Sequence, residues 1–248
     1  MGDDKNRVVA AIDAGPVSEA VIEVATRLAD VLGAQREIVM VDGGDASQGT
    51  PDLTVLVGDA AQSLLRLAAA PGVVALVVGL RTVASGPRPA GHVTEELITR
   101  SPVPVVVVPP GTPAGSRSLA RILLPLEGAA PPQETAQAIV HAFEAAGSRV
   151  DAVHVFDRSS VPMFWDGWHD TEIWSDEFQH RYSPIAGETQ LRLGDVAQQI
   201  LTATDENDSC LVLLEWKRRL NHSHAPVVRE LLNNTPVPLM LLPEERPQ

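Results

Sequence analysis

The 248-residue chain is poor in cysteine, in basic residues and in long apolar runs. Its one cysteine, Cys210, excludes a disulfide framework and has none of the neighbouring ligands that a zinc site needs. A formal net charge of −13 without a basic stripe disfavours nucleic acid and anionic membranes as partners. The longest apolar stretches, such as Val73–Val78 and Val103–Val108, are far too short to span a bilayer. Because the charged N-terminus also lacks the pattern of a secretory signal, we expect a soluble, cytoplasmic protein.

Aromatic residues are absent from the first half of the chain. None of the nine lies before Phe143, and seven fall between Phe156 and Tyr182. The core of the first half must therefore be built from Val, Leu, Ala and Ile. Such a core is typical of helices packed on a parallel sheet, whose strands form continuous β-branched runs.

The strongest signal in the sequence is an internal repeat. Each half opens with an apolar strand that ends in an acidic residue, Asp13 or Glu127, and continues through a Gly/Pro turn into an amphipathic helix. Each half then has a second strand, a Gly-Asp pair that leads into an Ala/Leu helix, and another apolar strand. Each closes with a matched helix-to-strand segment. The Gly-Asp pairs are Gly58-Asp59 and Gly194-Asp195, and the closing segments are residues 97–104 and 231–238.

Alternating strands and helices with apolar strands predict an α/β fold with parallel sheets. Two such passes predict two similar domains, residues 1–111 and 119–248, joined by a linker at residues 112–118. The second domain is longer, because 46 residues separate Asp13 from Asp59 whereas 68 separate Glu127 from Asp195. The difference predicts an aromatic-rich insertion at residues 157–186.

These landmarks, in this order and present twice, resemble the universal stress protein family. The resemblance covers essentially the whole chain, as in tandem members of the family. It implies a flavodoxin-like, HUP-type α/β sandwich in each domain, with a five-stranded parallel sheet. It also implies that the two domains pair through their last strands. In one branch of the family, ATP is bound in a cleft at the carboxyl ends of the strands.

The resemblance carries a candidate nucleotide site over to the first domain. Asp13 would hydrogen-bond the nucleoside, and two valines would lie near the adenine. The family's phosphate loop reads Gly, two residues, Gly, nine residues, Gly, then Ser or Thr; its glycines admit close backbone approach and its last helix offers N–H groups to anions. This chain has Thr82 at the second glycine and His92 at the Ser/Thr position. The expected site residues are Asp13, Val41, Val57, Val78, Gly79, Thr82, Gly91, His92, Val93 and Thr94.

Both phosphate loops depart from the family pattern. In the first domain, Pro87 and Pro89 bring two residues without an N–H into the loop. In the second domain, Glu215 stands at the first glycine and Ala225 at the third. A carboxylate at that position repels phosphate. We therefore expect at most a partial ATP site in the first domain and a degenerate site in the second.

No pattern in the sequence predicts catalysis or a metal. His222 and His224 have no third ligand at a recognisable spacing. Neither a nucleophile elbow, a Walker loop nor a metalloprotease helix is present. We therefore predict neither a metal nor catalytic residues, and expect that the protein is not an enzyme.

The insertion is the second candidate for function. Trp174, Phe178 and Tyr182 lie four residues apart and would form one apolar stripe on a helix. The stripe either packs onto the second domain and closes its degenerate cleft, or offers a surface to a protein partner.

The closing strands carry a further expectation. Val103–Val108 and Val237–Leu242 are apolar strands at the ends of their sheets, and an unpaired apolar edge invites aggregation. Antiparallel pairing of the two strands would remove both edges and make the chain an internal dimer.

Three functions remain open at this point. The first is a stress-response regulatory binding protein with a partial adenine-nucleotide site. The second is an ATP-binding member of the family with slow hydrolysis or phosphotransfer. The third is a protein-interaction module that uses the aromatic insertion and takes no small ligand.

Overall fold

A computed structural model of the chain describes residues 5–13, 17–42, 53–80, 91–112, 119–127, 132–156, 188–218 and 225–244. The predicted insertion and the phosphate-loop residues 81–90, including Thr82, lie outside these ranges, as do His222, His224 and residues 113–118 of the predicted linker. The described chain forms two compact units, residues 1–118 with 216–248, and residues 119–215.

The elements alternate between strand and helix, as the repeat predicts. In the first half they are β1 (Arg7–Ile12), α1 (Ser18–Val31), β2 (Gln35–Asp42), β3 (Leu53–Val57), α2 (Ala60–Ala68), β4 (Val73–Gly79), α3 (His92–Arg100) and β5 (Val105–Val108). In the second half they are β6 (Arg121–Leu126), α4 (Glu134–Ala145), β7 (Arg149–Phe156), β8 (Glu188–Leu193), α5 (Val196–Glu206), β9 (Leu211–Trp216), α6 (Ala225–Asn234) and β10 (Leu239–Pro243).

The first unit contains a parallel sheet with the strand order β3-β2-β1-β4-β5. The centre of this sheet is fully buried, because Val8, Val9, Ala75 and Leu76 have no exposed surface. Helix α1 buries one face of Ala, Val and Leu side chains, as the spacing of these residues predicts. The core is therefore built from small aliphatic side chains.

The last strand of the chain belongs to the first unit. Strand β10 pairs antiparallel with β5, and Leu239, Met240 and Leu241 lie opposite Val107, Val106 and Val105. Every one of these side chains is at most 2% exposed. The predicted antiparallel pairing of the closing strands is confirmed. The compact units do not coincide with the predicted domains, because the described residues from Trp216 onward belong to the unit of the first repeat.

The second unit repeats the plan of the first. Its strands have the order β9-β6-β7-β8, and each pair described by its register is parallel. This is the order of β4-β1-β2-β3, which are the matching strands of the first repeat. The α/β fold class with mostly parallel strands is thus confirmed in both repeats.

The Gly-Asp pair recurs because it starts a helix in the same way twice. Asp59 Oδ1 accepts the N–H of Gln62 at 2.9 Å, and Asp195 Oδ1 accepts the N–H of Gln198 at 3.0 Å. Each carboxylate therefore caps the first turn of its helix. The preceding glycines, Gly58 and Gly194, have φ values of +118° and +140°, which residues with a side chain rarely adopt.

Both repeats also end their first helix alike. Gly33 and Gly147 have positive φ values, as expected of C-terminal caps. The next residue donates its N–H back to the helix, from Ala34 to Ala29 O and from Ser148 to Phe143 O. This is the Schellman arrangement, which satisfies carbonyls at the helix end.

We expect that Asp59→Ala and Asp195→Ala each lower the free energy of unfolding by about 1 kcal/mol, because each leaves a first-turn N–H without its cap. Urea unfolding followed by circular dichroism measures the change. Asp59→Asn and Asp195→Asn keep a capping oxygen and serve as matched controls. An alanine variant as stable as the parent would show that the cap contributes nothing.

A second expectation concerns the exposed edge that truncation would create. A chain of residues 1–118 lacks β10, so the apolar edge of β5 is left unpaired. We expect this fragment to self-associate more strongly than the full chain at equal concentration. Sedimentation velocity over a range of concentrations measures this; a fragment that stays monomeric at high concentration contradicts the expectation.

Candidate functional site

The first unit has a cleft at the carboxyl ends of its two central strands. From β1 the chain runs outward to β2 and β3, and it then crosses to β4 on the other side of β1. Adjacent parallel strands whose connections leave in opposite directions open a crevice beyond their carboxyl ends. A cavity of about 570 Å³ lies there, next to Asp13 after β1 and next to Gly79 and Leu80 at the end of β4.

Two helices point their N-termini into this cavity. Helix α1 contributes Val17 and Ser18, and α3 contributes the residues from Gly91 to Thr94. No side chain of the described residues caps either helix, whereas α2 is capped by Asp59. The first-turn N–H groups of α1 and α3 are therefore available to a ligand. A helix N-terminus also carries a partial positive charge, which favours an anion.

The rest of the cavity wall is apolar. Val21 of α1, Leu64 of α2, and Val78 and Leu80 of the β4 end line it, and each of these side chains is buried. Val41 of β2 adds a further apolar contact. Such a wall suits a flat, weakly polar group rather than a strongly hydrated one.

Two glycines border the cavity for different reasons. A Cβ at Gly79 would lie 3.1 Å from Val17 Cγ1 and 3.3 Å from Val21 Cγ2, so any larger residue would crowd these valines where β4 meets α1. A Cβ at Gly91 would meet no atom within 4 Å. Gly91, which lines the cavity, therefore has open space beside its Cα at the start of α3.

The polar side chains at the cavity are few. Asp13 is exposed, and its main-chain oxygen accepts a hydrogen bond from the Ser18 hydroxyl. His92 is 86% exposed, and its Nε2 lies 3.7 Å from Glu96 Oε2. Lysine and arginine do not occur among the described residues that line the cavity. The anion-binding capacity of the described wall therefore lies mainly in backbone N–H groups.

The structure brings together most of the residues expected from the family resemblance. Val57 does not line the cavity: it is the last residue of the outer strand β3, two strands from β1, and it is 75% exposed. Thr82 lies outside the described residues. Those that line the cavity are Asp13, Val41, Val78, Gly79, Gly91, His92, Val93 and Thr94.

The sequence reasoning missed the contributions of α1 and α2. Val17, Ser18, Val21, Ala60 and Leu64 all line the cavity. A signal for α1 was available, because a helix that follows β1 after a short turn must start at the carboxyl edge of the sheet. The contribution of α2 depends on how that helix packs, and no local pattern indicates it.

At the corresponding place in the second repeat, a carboxylate binds the start of the helix. Glu215, which stands where the first repeat has Gly79, accepts the N–H of Gln133 at 2.7 Å through its Oε1. Gln133 is the N-cap residue of α4, and its own side chain makes no capping bond. A carboxylate therefore lies at the helix N-terminus, which in the first repeat has no side-chain partner among the described residues.

A buried histidine lies on β7 of the second unit. His154 Nδ1 donates to the carbonyl of Leu126 at 2.9 Å, and its ring meets Phe156 edge-on with centroids 4.5 Å apart. Burial lowers the pKa of His154 below its usual value of 6.5, although the backbone hydrogen bond acts in the opposite direction. Folding therefore disfavours the charged form of this imidazole.

Metal sites and membrane-spanning helices have recognisable arrangements of residues, and the described part of the chain shows neither. No group of three or more His, Cys, Asp or Glu side chains is placed there to hold a metal ion. None of the helices within the described ranges has the length and apolar character needed to cross a membrane.

Comparison with known proteins identifies the fold. No family model and no curated protein matches the amino-acid sequence. A universal stress protein from Archaeoglobus fulgidus has a similar structure, with a TM-score of 0.68 and 14% identity over 97% of this chain and 99% of that chain. A candidate universal stress protein from Pseudomonas aeruginosa gives a TM-score of 0.69 and 12% identity over 96% and 93% of the two chains. The chain thus has the tandem fold seen in universal stress proteins.

We expect the free energy of unfolding to fall as the pH is lowered below about 6.5. Because the pKa of His154 is lower in the folded chain, the unfolded chain takes up a proton at this residue more readily in that range, so protonation favours the unfolded state. His154→Met, which introduces the residue found at the matching position Met40, removes this contribution. Urea unfolding of both proteins between pH 7.5 and 5 tests this; equal pH slopes would contradict it.

Proposed function

We propose that the protein is a regulatory binding protein of the universal stress type, and that the cleft of its first unit binds an adenine nucleotide without turning it over. The observation that carries this proposal is the convergence of two uncapped helix N-termini on one partly apolar cavity. A nucleotide combines the features that such a cavity complements: an anionic end, hydroxyl donors and a flat base.

The anionic end of the nucleotide is assigned to the helix termini. Backbone N–H groups at the starts of α1 and α3 point toward a shared space, and the helix dipoles favour negative charge there. The open space beside Gly91 admits a phosphate close to the backbone. Thr94, in the first turn of α3, adds a hydroxyl group to the cavity wall.

The nucleoside is assigned to the strand side of the cavity. The aliphatic wall formed by Val21, Val41, Leu64 and Val78 would contact the base. The Asp13 carboxylate follows β1 at the cavity edge and would accept hydrogen bonds from ribose hydroxyls. Hydrogen bonds to a charged acceptor are among the stronger ones, so Asp13 would contribute much of the selectivity for a nucleoside.

Binding is proposed for the first repeat alone. In the second repeat the Glu215 carboxylate already accepts the Gln133 N–H at the start of α4. A phosphate at that place could not bind the same N–H and would be repelled by the Glu215 carboxylate.

Binding without turnover is favoured by the groups at the cavity. The Ser18 hydroxyl donates its hydrogen bond to the carbonyl of Asp13, which is not a general base that could activate it as a nucleophile. His92 is the one imidazole among the described lining residues, and it is strongly exposed rather than held against a nucleophile.

The test is calorimetric titration of AMP and of ATP into the nucleotide-stripped full chain. We expect one site per chain in the parent, and about tenfold weaker binding in Asp13→Ala because a charged hydrogen bond to the ribose is lost. Product analysis of the ATP mixture should show no hydrolysis.

Glu127→Ala provides the matched control. Glu127 ends the corresponding strand of the second repeat and is likewise exposed. The Glu127→Ala variant should bind nucleotide as tightly as the parent does. Equal losses in both variants, or no heat from the parent at millimolar nucleotide, would refute the proposal.

A further inference from the structure

Helix α3 carries a large part of the candidate site at one end, and a carbonyl without an intrahelical donor lies near the other. Its first residues, together with Gly91, line the cavity. Near its C-terminal end, the carbonyl of Ile98 has no amide donor four residues ahead, because residue 102 is a proline. Ile98 is 3% exposed, so water does not readily replace that donor.

The missing donor comes from the second half of the chain. Trp216 Nε1 donates to Ile98 O at 2.9 Å, and the indole is 1% exposed. The main-chain oxygen of Trp216 accepts the N–H of Glu244, which follows β10. The indole is therefore anchored through the C-terminal segment, and that segment packs in the first unit.

We infer that Trp216 is a positioning residue for the cleft of the first unit. It fixes the C-terminal end of α3 and thereby the placement of the N–H groups at the start of the same helix. This inference rests on the proposed function as far as the ligand is concerned, whereas the effect on α3 does not need a ligand.

The positioning role depends on the hydrogen bond from Trp216 to Ile98 and not only on the packing of the indole ring. A buried carbonyl that loses its donor retains the full cost of its desolvation, and the helix end then moves to find another partner. A helix of nine residues is marginal in water without its tertiary contacts, so the loss of one buried contact at its end loosens the whole helix. The loosened part includes Gly91–Thr94.

The test is amide hydrogen exchange of the full chain with Trp216→Phe, which keeps an aromatic ring but removes the donor. We expect the amides of α3 to exchange about three- to tenfold faster, in line with the loss of one buried hydrogen bond. A second variant replaces Trp216 with an alanine that bears a benzothiophene ring. This ring keeps the shape of indole without its N–H, so the test stands even if the phenylalanine variant folds poorly.

Phe143→Leu is the control. Phe143 is fully buried in α4 of the second unit, so its truncation lowers stability without removing a donor from α3. It should leave the exchange of α3 amides unchanged relative to the rest of the first unit. Equal exchange of α3 in the benzothiophene variant and the parent would overturn the inference, as would equal acceleration in the Phe143→Leu control.

Nucleotide titration of the same variants separates the two proposals. Faster exchange with weaker nucleotide binding supports both the positioning role and the proposed function. Faster exchange in a protein whose parent binds no nucleotide supports the positioning of α3 and refutes the proposed function. Unchanged exchange with intact binding supports the proposed function and overturns the role of Trp216.

Discussion

The parallel pairing of β1 with β4 is the constraint on which the first unit depends. These strands are neighbours in space but are separated in sequence by two further strands and two helices, so their connections leave in opposite directions. The crevice at their carboxyl ends is a consequence of that topology rather than of any one side chain. Once it is open, the helices that follow β1 and β4 must direct their N-termini toward it, and these supply the backbone N–H groups on which the proposed anion binding rests.

The same plan gives a different helix start in the second repeat, where Glu215 stands in place of Gly79. Gly79 lets β4 approach α1 so closely that even a Cβ would be crowded by Val17. At the matching position Glu215 reaches the start of α4 and binds its N–H. One helix start thus remains open to a ligand, while the other already has an anion. A duplicated chain can in this way keep one cleft for binding and use the other for structure.

Packing distributes the chain differently from the repeat. The C-terminal strand and Trp216 come from the second repeat, yet they pack in the first unit. The first repeat therefore depends on the second for two of its buried contacts, the edge of β5 and the carbonyl of Ile98. This dependence gives a physical reason for a tandem chain, beyond the covering of an aggregation-prone edge.

The sequence by itself determined the alternation of strands and helices, the repeat, the Gly-Asp helix starts and the strand ends that meet at the cleft. These features follow from periodicity and local backbone chemistry, which neighbouring residues encode. Tertiary structure alone decided that Val57 lies away from the cavity, that α2 contributes Leu64, and that Trp216 bonds to Ile98. Each of these depends on contacts between residues distant in sequence. Such contacts depend on how the helices pack on the sheet, and no local sequence pattern predicts that packing.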